Sequence, residues 1–173
     1  MTPLTWRSLS GVRSSQEPEV AVRTAYRVIA HLVALEVLIQ AAAIAYAVFG
    51  LGTWIEGGGV LDKAGMESET TDFTGVGGFA LHGINGQIVV PVLALALLVV
   101  AFFARVPGGV RWAGIVVVLV ALQVLLGILG HSVTGLGALH GICALALFAC
   151  AVFAGQRAGA RSGAAATAGE RVA

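Results

Sequence analysis

The chain has 173 residues, of which 58% are hydrophobic and only 11% charged, and its mean hydropathy is +0.93. Soluble domains carry about a quarter charged residues, so this composition excludes a soluble globular protein, and its high hydrophobicity excludes a wholly disordered chain. The net charge of +1 gives no basic field for nucleic acid, and two cysteines are too few for a disulfide scaffold. The class that remains is an integral membrane protein of one domain.

Four apolar stretches follow one another along the chain, at residues 28–49, 79–104, 112–130 and 136–154. A helix needs about 20 apolar residues to cross the bilayer core, and all four stretches meet that requirement. Their uninterrupted apolar runs lack the alternation of a membrane β-strand. The sequence therefore predicts an all-α integral membrane four-helix bundle over residues 28–154.

The charged residues divide between the two sides of this bundle. Nine of the ten basic residues lie in the 1–27 segment, the 105–111 connection or the 155–173 tail, whereas the 50–78 loop has five acidic residues and only Lys63. Basic residues accumulate on the cytoplasmic side of membrane proteins. We therefore expect a multi-pass protein with both termini in the cytoplasm, a flexible cytoplasmic tail and the 50–78 loop outside.

An internal repeat divides the bundle into two helix hairpins. The pentapeptide Ala-Leu-His-Gly-Ile occurs at residues 80–84 and again at 138–142, and VALEVLIQ at 33–40 resembles VALQVLLG at 120–127. An identical pentapeptide centred on histidine, in equivalent helices, favours duplication over chance. The second and fourth spans are therefore predicted to run parallel, related by an axis along the membrane normal.

The two repeated histidines, His82 and His140, lie at one depth, about 5 Å below the outer edge of their spans. Ionisable residues inside a membrane indicate function, and four-helix bundles hold cofactors between facing helices. Because haem iron accepts axial histidine ligands, the pair predicts one b-type haem between the second and fourth spans. The competing explanation is that two shallow histidines, inherited by duplication, form hydrogen bonds at the helix interface.

Small residues beside the histidines would leave room for a flat macrocycle. Gly83 and Gly86 follow His82 by one and four residues, and Gly141 follows His140 by one. Small residues also let membrane helices pack closely, which is the alternative explanation for these glycines.

Three further polar residues are candidates for the site. His131, at the outer end of the third span, is a candidate third site residue, a proton carrier or a wet interfacial residue. Glu36, near the middle of the first span, corresponds to Gln123 in the repeat. A carboxyl group at this depth should be neutral or paired, because burial disfavours its charge. The sequence predicts either a hydrogen-bonded pair of Glu36 and Gln123, or a role for Glu36 as a proton relay or as partner of a quinone or haem substituent.

The motifs RVPGGVR, LQVLLG and LGALHGICAL, with a His-Gly pair in the second span, resemble a family of small four-helix bacterial membrane proteins of unknown function. More distantly, the pattern is similar to one four-helix half of haem A synthase, whose second and fourth helices carry haem-ligating histidines near the outer face. This resemblance implies a haem-binding fold in the bacterial inner membrane, with His82 and His140 at the ligand positions. The enzyme has two such bundles and this chain has one, so haem A synthesis would require a homodimer.

Two functions compete at this point. The first is a haem b protein that transfers electrons or handles haem, with a quinone or a respiratory or assembly protein as candidate partner. The second is a cofactor-free membrane assembly or interaction protein. Both functions place the chain in a lipid bilayer, and neither involves nucleic acid as a partner. Neither decides whether the protein is an enzyme. A transporter is disfavoured because no pair of broken helices meets at the membrane midplane.

The orientation can be tested with single cysteines in the two connecting loops. Because the basic residues are split nine to one between the two sides, a cysteine at position 65 should react with a membrane-impermeant thiol reagent added to intact cells. A cysteine at position 108 should react only after the membrane is permeabilised. The opposite labelling pattern would overturn both the orientation and the outer location of the histidines.

Overall fold

A computed structural model describes the backbone of residues 6–67 and 71–170, and the side chains of residues 18–66 and 71–159. Four of its helical segments are long and apolar enough to cross a membrane. This confirms the predicted all-α membrane bundle. The elements are α1 (Trp6–Glu56), α2 (Lys63–Glu67), α3 (Gly77–Ile84), a π-helix (Asn85–Val89), α4 (Val90–Phe103), α5 (Gly109–Gly130) and α6 (Thr134–Glu170).

The four spans form a closed square. Helix α1 packs on α3 and α4, α4 packs on α5, α5 packs on α6, and α6 packs on α1. The second span consists of α3, the π-helix and α4 in one continuous run. The two predicted hairpins are therefore opposite sides of the square, and the second and fourth spans occupy opposite corners. Side chains that point inward from these two spans meet across the interior of the bundle.

Helix α6 extends beyond the boundary that the apolar pattern predicts. The sequence indicates a flexible tail from Gly155 onward, but the helix continues to Glu170, and both Gly155 and Ala158 are buried. Alanine has the highest helix propensity of all residues, so an alanine-rich segment that follows a helix extends it readily. The first turn of the predicted tail therefore belongs to the bundle.

The tightly packed apolar core fills the half of the bundle that carries the arginines. Tyr26, Val33, Leu97, Val116 and Leu147 are the largest side chains with almost no exposed surface. Each of the four spans contributes at least one of them, so this half joins all four corners of the square. Close packing of this kind fixes side chains in single positions, and this half is the rigid base of the molecule.

Arginine side chains join the helix ends at the same base. Arg23 Nη2 donates to the Ala158 carbonyl oxygen at 3.2 Å, and Arg157 Nη1 donates to the Pro107 carbonyl oxygen at 3.3 Å. The Arg157 guanidinium also lies 4.9 Å from the centre of the Phe153 ring. Arginine beside aromatic rings is typical of the membrane–water boundary. These contacts connect α1 to α6, and α6 to the loop between α4 and α5.

Small residues let α1 and α3 approach closely at the opposite end. A Cβ atom on Gly78 would lie 2.4 Å from the Ala43 carbonyl oxygen, and one on Gly50 would overlap the Thr74 carbonyl. Backbone contact through small residues is a usual way for membrane helices to associate. The contact fixes the height of α3 along α1, and so fixes the height of His82.

Adjacent glycines at the start of α3 allow a matched test of this contact. Gly78→Ala should destabilise the protein by about 1–3 kcal/mol, because the added methyl group forces the two backbones apart. Gly77→Ala should leave stability unchanged or slightly raised, since a Cβ there meets nothing within 4 Å. Thermal unfolding in detergent, followed by circular dichroism, measures both. Equal effects of the two substitutions would show that α1 and α3 do not touch at Gly78.

Candidate functional site

His82 and His140 face each other across the interior of the bundle. Their ring centres are 6.1 Å apart and their ring planes are inclined at 61°. The two residues come from spans at opposite corners of the square, and both side chains are half-buried. The structure therefore brings together the pair that the repeat predicts, although the two parent helices are not neighbours.

His140 is held in place by α5. Its Nδ1 atom lies 3.0 Å from the backbone carbonyl oxygen of Gln123, so Nδ1 carries the proton and donates it. Gly127 makes room for the ring, because a Cβ there would lie 3.2 Å from His140 Cε1. In this tautomer Nε2 keeps a free lone pair. A histidine anchored through Nδ1–H to a carbonyl is the usual arrangement of a metal ligand.

His82 is held in place by α1, through a single residue, Gln40. Its Nδ1 atom lies 3.1 Å from the Gln40 backbone carbonyl oxygen and 2.7 Å from the Gln40 amide nitrogen. The two contacts require different tautomers. The carbonyl oxygen pairs with a protonated Nδ1, whereas the amide nitrogen, which only donates, pairs with a bare Nδ1.

The side chain of Gln40 is inserted into the backbone of the second span. In the orientation that pairs donors with acceptors, its nitrogen donates to the His82 carbonyl oxygen at 3.0 Å, and its oxygen accepts from the Gly86 N–H at 2.7 Å. In a regular α-helix the Gly86 N–H would donate to that His82 carbonyl. The inserted amide bonds to both backbone groups at the point where the helix widens into the π-helix, and the His82 carbonyl also accepts from the Asn85 N–H.

Gly86 and Pro91 explain why the widening occurs here. A Cβ at Gly86 would lie 3.4 Å from the Gln40 amide, so a larger residue would crowd the inserted side chain. Pro91 has no N–H, and its ring clashes with the carbonyl four residues earlier in a regular helix, that of Gln87. Side-chain insertion and proline are both recognised causes of helix distortion, and short π-helices are frequent at functional sites.

Glu36 pairs with Asn85, and the predicted pair with Gln123 does not form. Asn85 Nδ2 donates to Glu36 Oε2 at 2.6 Å, and Asn85 is only 8% exposed. The Gln123 side-chain oxygen is buried without a hydrogen-bond partner among the described residues. Asn85 is within reach of Glu36 because α1 packs directly on the second span.

A continuous hydrogen-bonded chain joins Glu36 to His82. It runs from Glu36 to Asn85 at 2.6 Å, from Asn85 Nδ2 to the Gln40 side-chain oxygen at 3.2 Å, and from the Gln40 nitrogen to His82 Nδ1 at 2.7 Å. Networks of this kind in a low-dielectric interior fix the positions of their members. The chain connects the Glu36 carboxyl group on α1 with one of the two facing imidazoles.

The other predicted site residues lie apart from the facing rings. His131 Nδ1 is 3.0 Å from the Gly127 carbonyl oxygen one turn earlier, and the His131 side chain is exposed. A Cβ at Gly83 or Gly141 would meet nothing within 4 Å, and Gly83 lines a shallow groove on the outer surface of the second span. Their contact with a macrocycle stays a prediction. Gly86 touches the Gln40 amide, as described above.

Sequence reasoning does not assign Gln40 and Asn85 to the site. A signal is present for each, since Gln40 lies four residues from Glu36, and Asn85 three residues from His82, on the same faces of their helices. The insertion itself has no sequence signature. It requires the two helices to be placed side by side at a particular height.

Asn85 provides a test of the polar chain. Asn85→Ala should destabilise the protein by about 1–3 kcal/mol, because it leaves Glu36 without its partner. Gln87→Ala, which removes a nearby amide that is exposed, should change stability by less than about 0.5 kcal/mol. Detergent-based equilibrium unfolding measures both variants. If Glu36→Gln and Asn85→Ala combine additively, the two side chains do not interact.

Residues 72–129, about one third of the chain, are similar to a family of unknown function, DUF6220. The matched segment includes His82, Asn85 and Gln123, and it ends before His140. Neither a curated protein nor a solved structure matches the chain significantly. The similarity bears out the predicted resemblance to a family of unknown function, and the resemblance to haem A synthase stays a prediction. The chain is thus a multi-pass membrane protein similar, over its second and third spans, to a family without an assigned activity.

Proposed function

We propose that the chain binds one b-type haem between His82 and His140 and uses it for electron transfer or haem handling. One observation carries this proposal. Two imidazoles from opposite corners of a membrane bundle approach to 6.1 Å in its interior. Four-helix bundles hold cofactors in this way, between side chains of facing helices.

The distance between the rings suits one metal atom between them. An imidazole nitrogen lies about 2 Å from a bound transition metal and the ring centre about 1 Å further, so two rings on opposite sides of one atom have centres about 6 Å apart. A direct N–H···N hydrogen bond of about 3 Å would bring the centres to about 5 Å. The separation of 6.1 Å agrees with the first arrangement.

The donor set favours haem over a bare metal ion. Among the described residues, no group of three or more His, Cys, Asp or Glu could hold a metal ion. Two histidines alone leave most of the coordination sphere of a transition metal empty. A porphyrin brings its own ring nitrogens and needs only axial ligands from the protein.

Backbone carbonyls support both candidate ligands. The carbonyl oxygens of Gln123 and Gln40 lie 3.0 Å and 3.1 Å from the Nδ1 atoms of His140 and His82. A carbonyl that accepts the Nδ1 proton leaves Nε2 as the ligating atom and orients the ring. A haem held there would supply one-electron chemistry, with a quinone or a respiratory or assembly protein as exchange partner. The residues of the chain would orient the cofactor and exclude water.

The proposed location of the protein is the bacterial inner membrane. The split of basic residues supports an orientation in the bacterial inner membrane with both termini in the cytoplasm and the histidines near the outer face. The arginine contacts at the opposite end of the bundle agree with it.

A cofactor-free interaction protein is the second candidate, and one feature favours it. Gln87 is exposed on the outward surface of the second span, within a shallow groove that Ala80, Gly83 and Ile84 help to line. An exposed amide in hydrocarbon gains a partner when another membrane helix packs there, and small residues permit that approach. A second copy of this chain is one such helix.

The absorbance spectrum of the detergent-purified protein tests the first candidate. After expression with ample haem supply, the reduced-minus-oxidised spectrum should have the sharp bands of a low-spin b-type haem. His82→Ala and His140→Ala should each convert it to a high-spin spectrum or abolish haem binding, because each removes an axial ligand.

Two other histidines serve as controls for this measurement. His31→Ala should leave the spectrum unchanged, since His31 contacts the Arg27 carbonyl at the arginine end. His131→Ala should cause at most a small band shift. If the parent protein is colourless, or if both ligand variants keep the parent spectrum, the haem proposal is wrong. A colourless protein that is dimeric, and becomes monomeric with Gln87→Leu, would establish the second candidate.

A further inference from the structure

The two facing histidines differ in what their Nδ1 atoms contact. His140 Nδ1 has one partner, the Gln123 carbonyl at 3.0 Å. His82 Nδ1 has two, the backbone carbonyl and the side-chain amide of Gln40, at 3.1 Å and 2.7 Å. In the repeat, Gln40 corresponds to Gly127. The second copy of the hairpin therefore has no side-chain amide at the position of Gln40.

The orientation of the Gln40 amide is set by the backbone of the second span. The His82 carbonyl can only accept a hydrogen bond and the Gly86 N–H can only donate one. These two groups, at 3.0 Å and 2.7 Å, direct the amide nitrogen toward His82 and the amide oxygen toward Gly86. Neither backbone group can exchange its role, so the amide keeps this orientation while it remains inserted.

The fixed amide favours one tautomer of His82, because its contact with Nδ1, at 2.7 Å, is shorter than that of the competing Gln40 backbone carbonyl, at 3.1 Å. The amide nitrogen carries a hydrogen that only a bare Nδ1 can accept. The proton of neutral His82 then lies on Nε2, so Nε2 has no lone pair for a metal. His140 has the opposite tautomer, with its proton on Nδ1 and a free lone pair on Nε2.

We propose that Gln40 makes His140 the permanent axial ligand of the site and His82 an exchangeable one. This inference rests on the proposed haem function. His140 needs no change before it ligates. His82 must first move its proton from Nε2 to Nδ1, where the Gln40 backbone carbonyl at 3.1 Å accepts it. The Gln40 amide nitrogen then loses its hydrogen bond to Nδ1 and keeps the one to the His82 carbonyl oxygen. One proton changes its place on the ring, and no oxidant, reductant or external acid is required.

An exchangeable ligand favours haem handling over simple electron transfer. The two states of His82 differ by one hydrogen bond from Gln40, so their populations are close enough for a competing ligand to shift them. A small molecule or a side chain of another protein could take the position that His82 vacates. Gln40 is accordingly a positioning residue, which acts only through His82.

The tautomers can be measured without haem, in the full-length chain labelled with 15N-histidine. The chain has four histidines, and His82→Ala and His140→Ala assign the two relevant sets of signals. In the parent protein, His82 should show a bare Nδ1 and a protonated Nε2, and His140 the reverse. Gln40→Leu should change His82 to the Nδ1-protonated form and leave His140 unchanged.

Gln40→Glu is a second variant, which keeps the test valid if Gln40→Leu misfolds. Glutamate has the size of glutamine and keeps an oxygen for the Gly86 N–H, but it places an acceptor where the amide nitrogen faces His82. It should therefore also protonate Nδ1 of His82. If the parent histidines share one tautomer, or if neither variant changes His82, the proposed action of Gln40 is wrong.

Carbon monoxide binding to the reduced, haem-loaded protein tests the exchange itself. Carbon monoxide competes with the weaker axial ligand, so it should bind the parent protein by displacing His82. Gln40→Leu and Gln40→Glu should weaken that binding roughly tenfold, the effect of losing one hydrogen bond that favours the detached state. His82→Ala should keep a high-spin haem that binds carbon monoxide more tightly, whereas His140→Ala should lose most of its haem.

The two measurements separate the possible failures. If the protein takes up no haem, the proposed function fails, and the NMR result still decides whether Gln40 controls the tautomer of His82. If haem binds but His82→Ala and His140→Ala lose it equally, the ligands are equivalent and the assignment of exchangeable and permanent ligands is wrong. The same conclusion follows if Gln40→Leu leaves carbon monoxide affinity unchanged.

Discussion

The site depends on one constraint, which is that a backbone group inside a lipid bilayer must find its hydrogen bond within the protein. A regular helix meets this constraint alone. The second span does not, because Pro91 lacks an N–H and the helix widens into a π-helix at Asn85–Val89. The Gln40 amide gives the Gly86 N–H an acceptor and donates a further hydrogen bond to the His82 carbonyl, which also accepts from the Asn85 N–H. The same side chain also contacts Asn85 and the imidazole of His82. One glutamine therefore both bonds to the distorted backbone and positions the side chains of the site.

One end of the bundle is a rigid apolar support, and the other end contains the candidate site. Around the arginines, all four spans meet through buried apolar side chains, and guanidinium groups join the helix ends. Toward the other end, the interior contains imidazole, amide and carboxyl groups instead. Polar networks are stabilising only when their members are satisfied. The rigid apolar half holds the helices at the separation that the polar half requires. The Gly78 contact fixes the position of α3 along α1, and with it the position of His82.

Hydropathy and the repeat predict most of the architecture but little of the local detail. The four spans follow from apolar length, because the bilayer has a fixed thickness. The facing histidines follow from the repeated pentapeptide, because duplication of a hairpin places equivalent residues across an axis. The partner of Glu36 could not be predicted. It depends on which side chain of the neighbouring span lies beside Glu36, whereas the repeat identifies only its equivalent residue, Gln123. The extension of α6 past Gly155 was missed because alanine-rich sequence is typical of both helices and tails.

Duplication alone would give two equivalent histidines, and the departures from symmetry are what distinguish them. The repeat has Gln40 in the first copy where the second has Gly127, and Gly86 where the second has Ala144. In the first copy the glycine admits an inserted amide, whereas in the second copy the glycine on α5 admits the imidazole of His140 itself. Each histidine consequently contacts a carbonyl on the preceding span, but the two carbonyls, of Gln40 and Gln123, lie one helical turn apart in the repeat. A symmetric pair would bind any shared ligand equally from both sides. Under the proposed function, the exchange of one amide for one glycine would give the two histidines different tautomers, and so different affinities for the same iron.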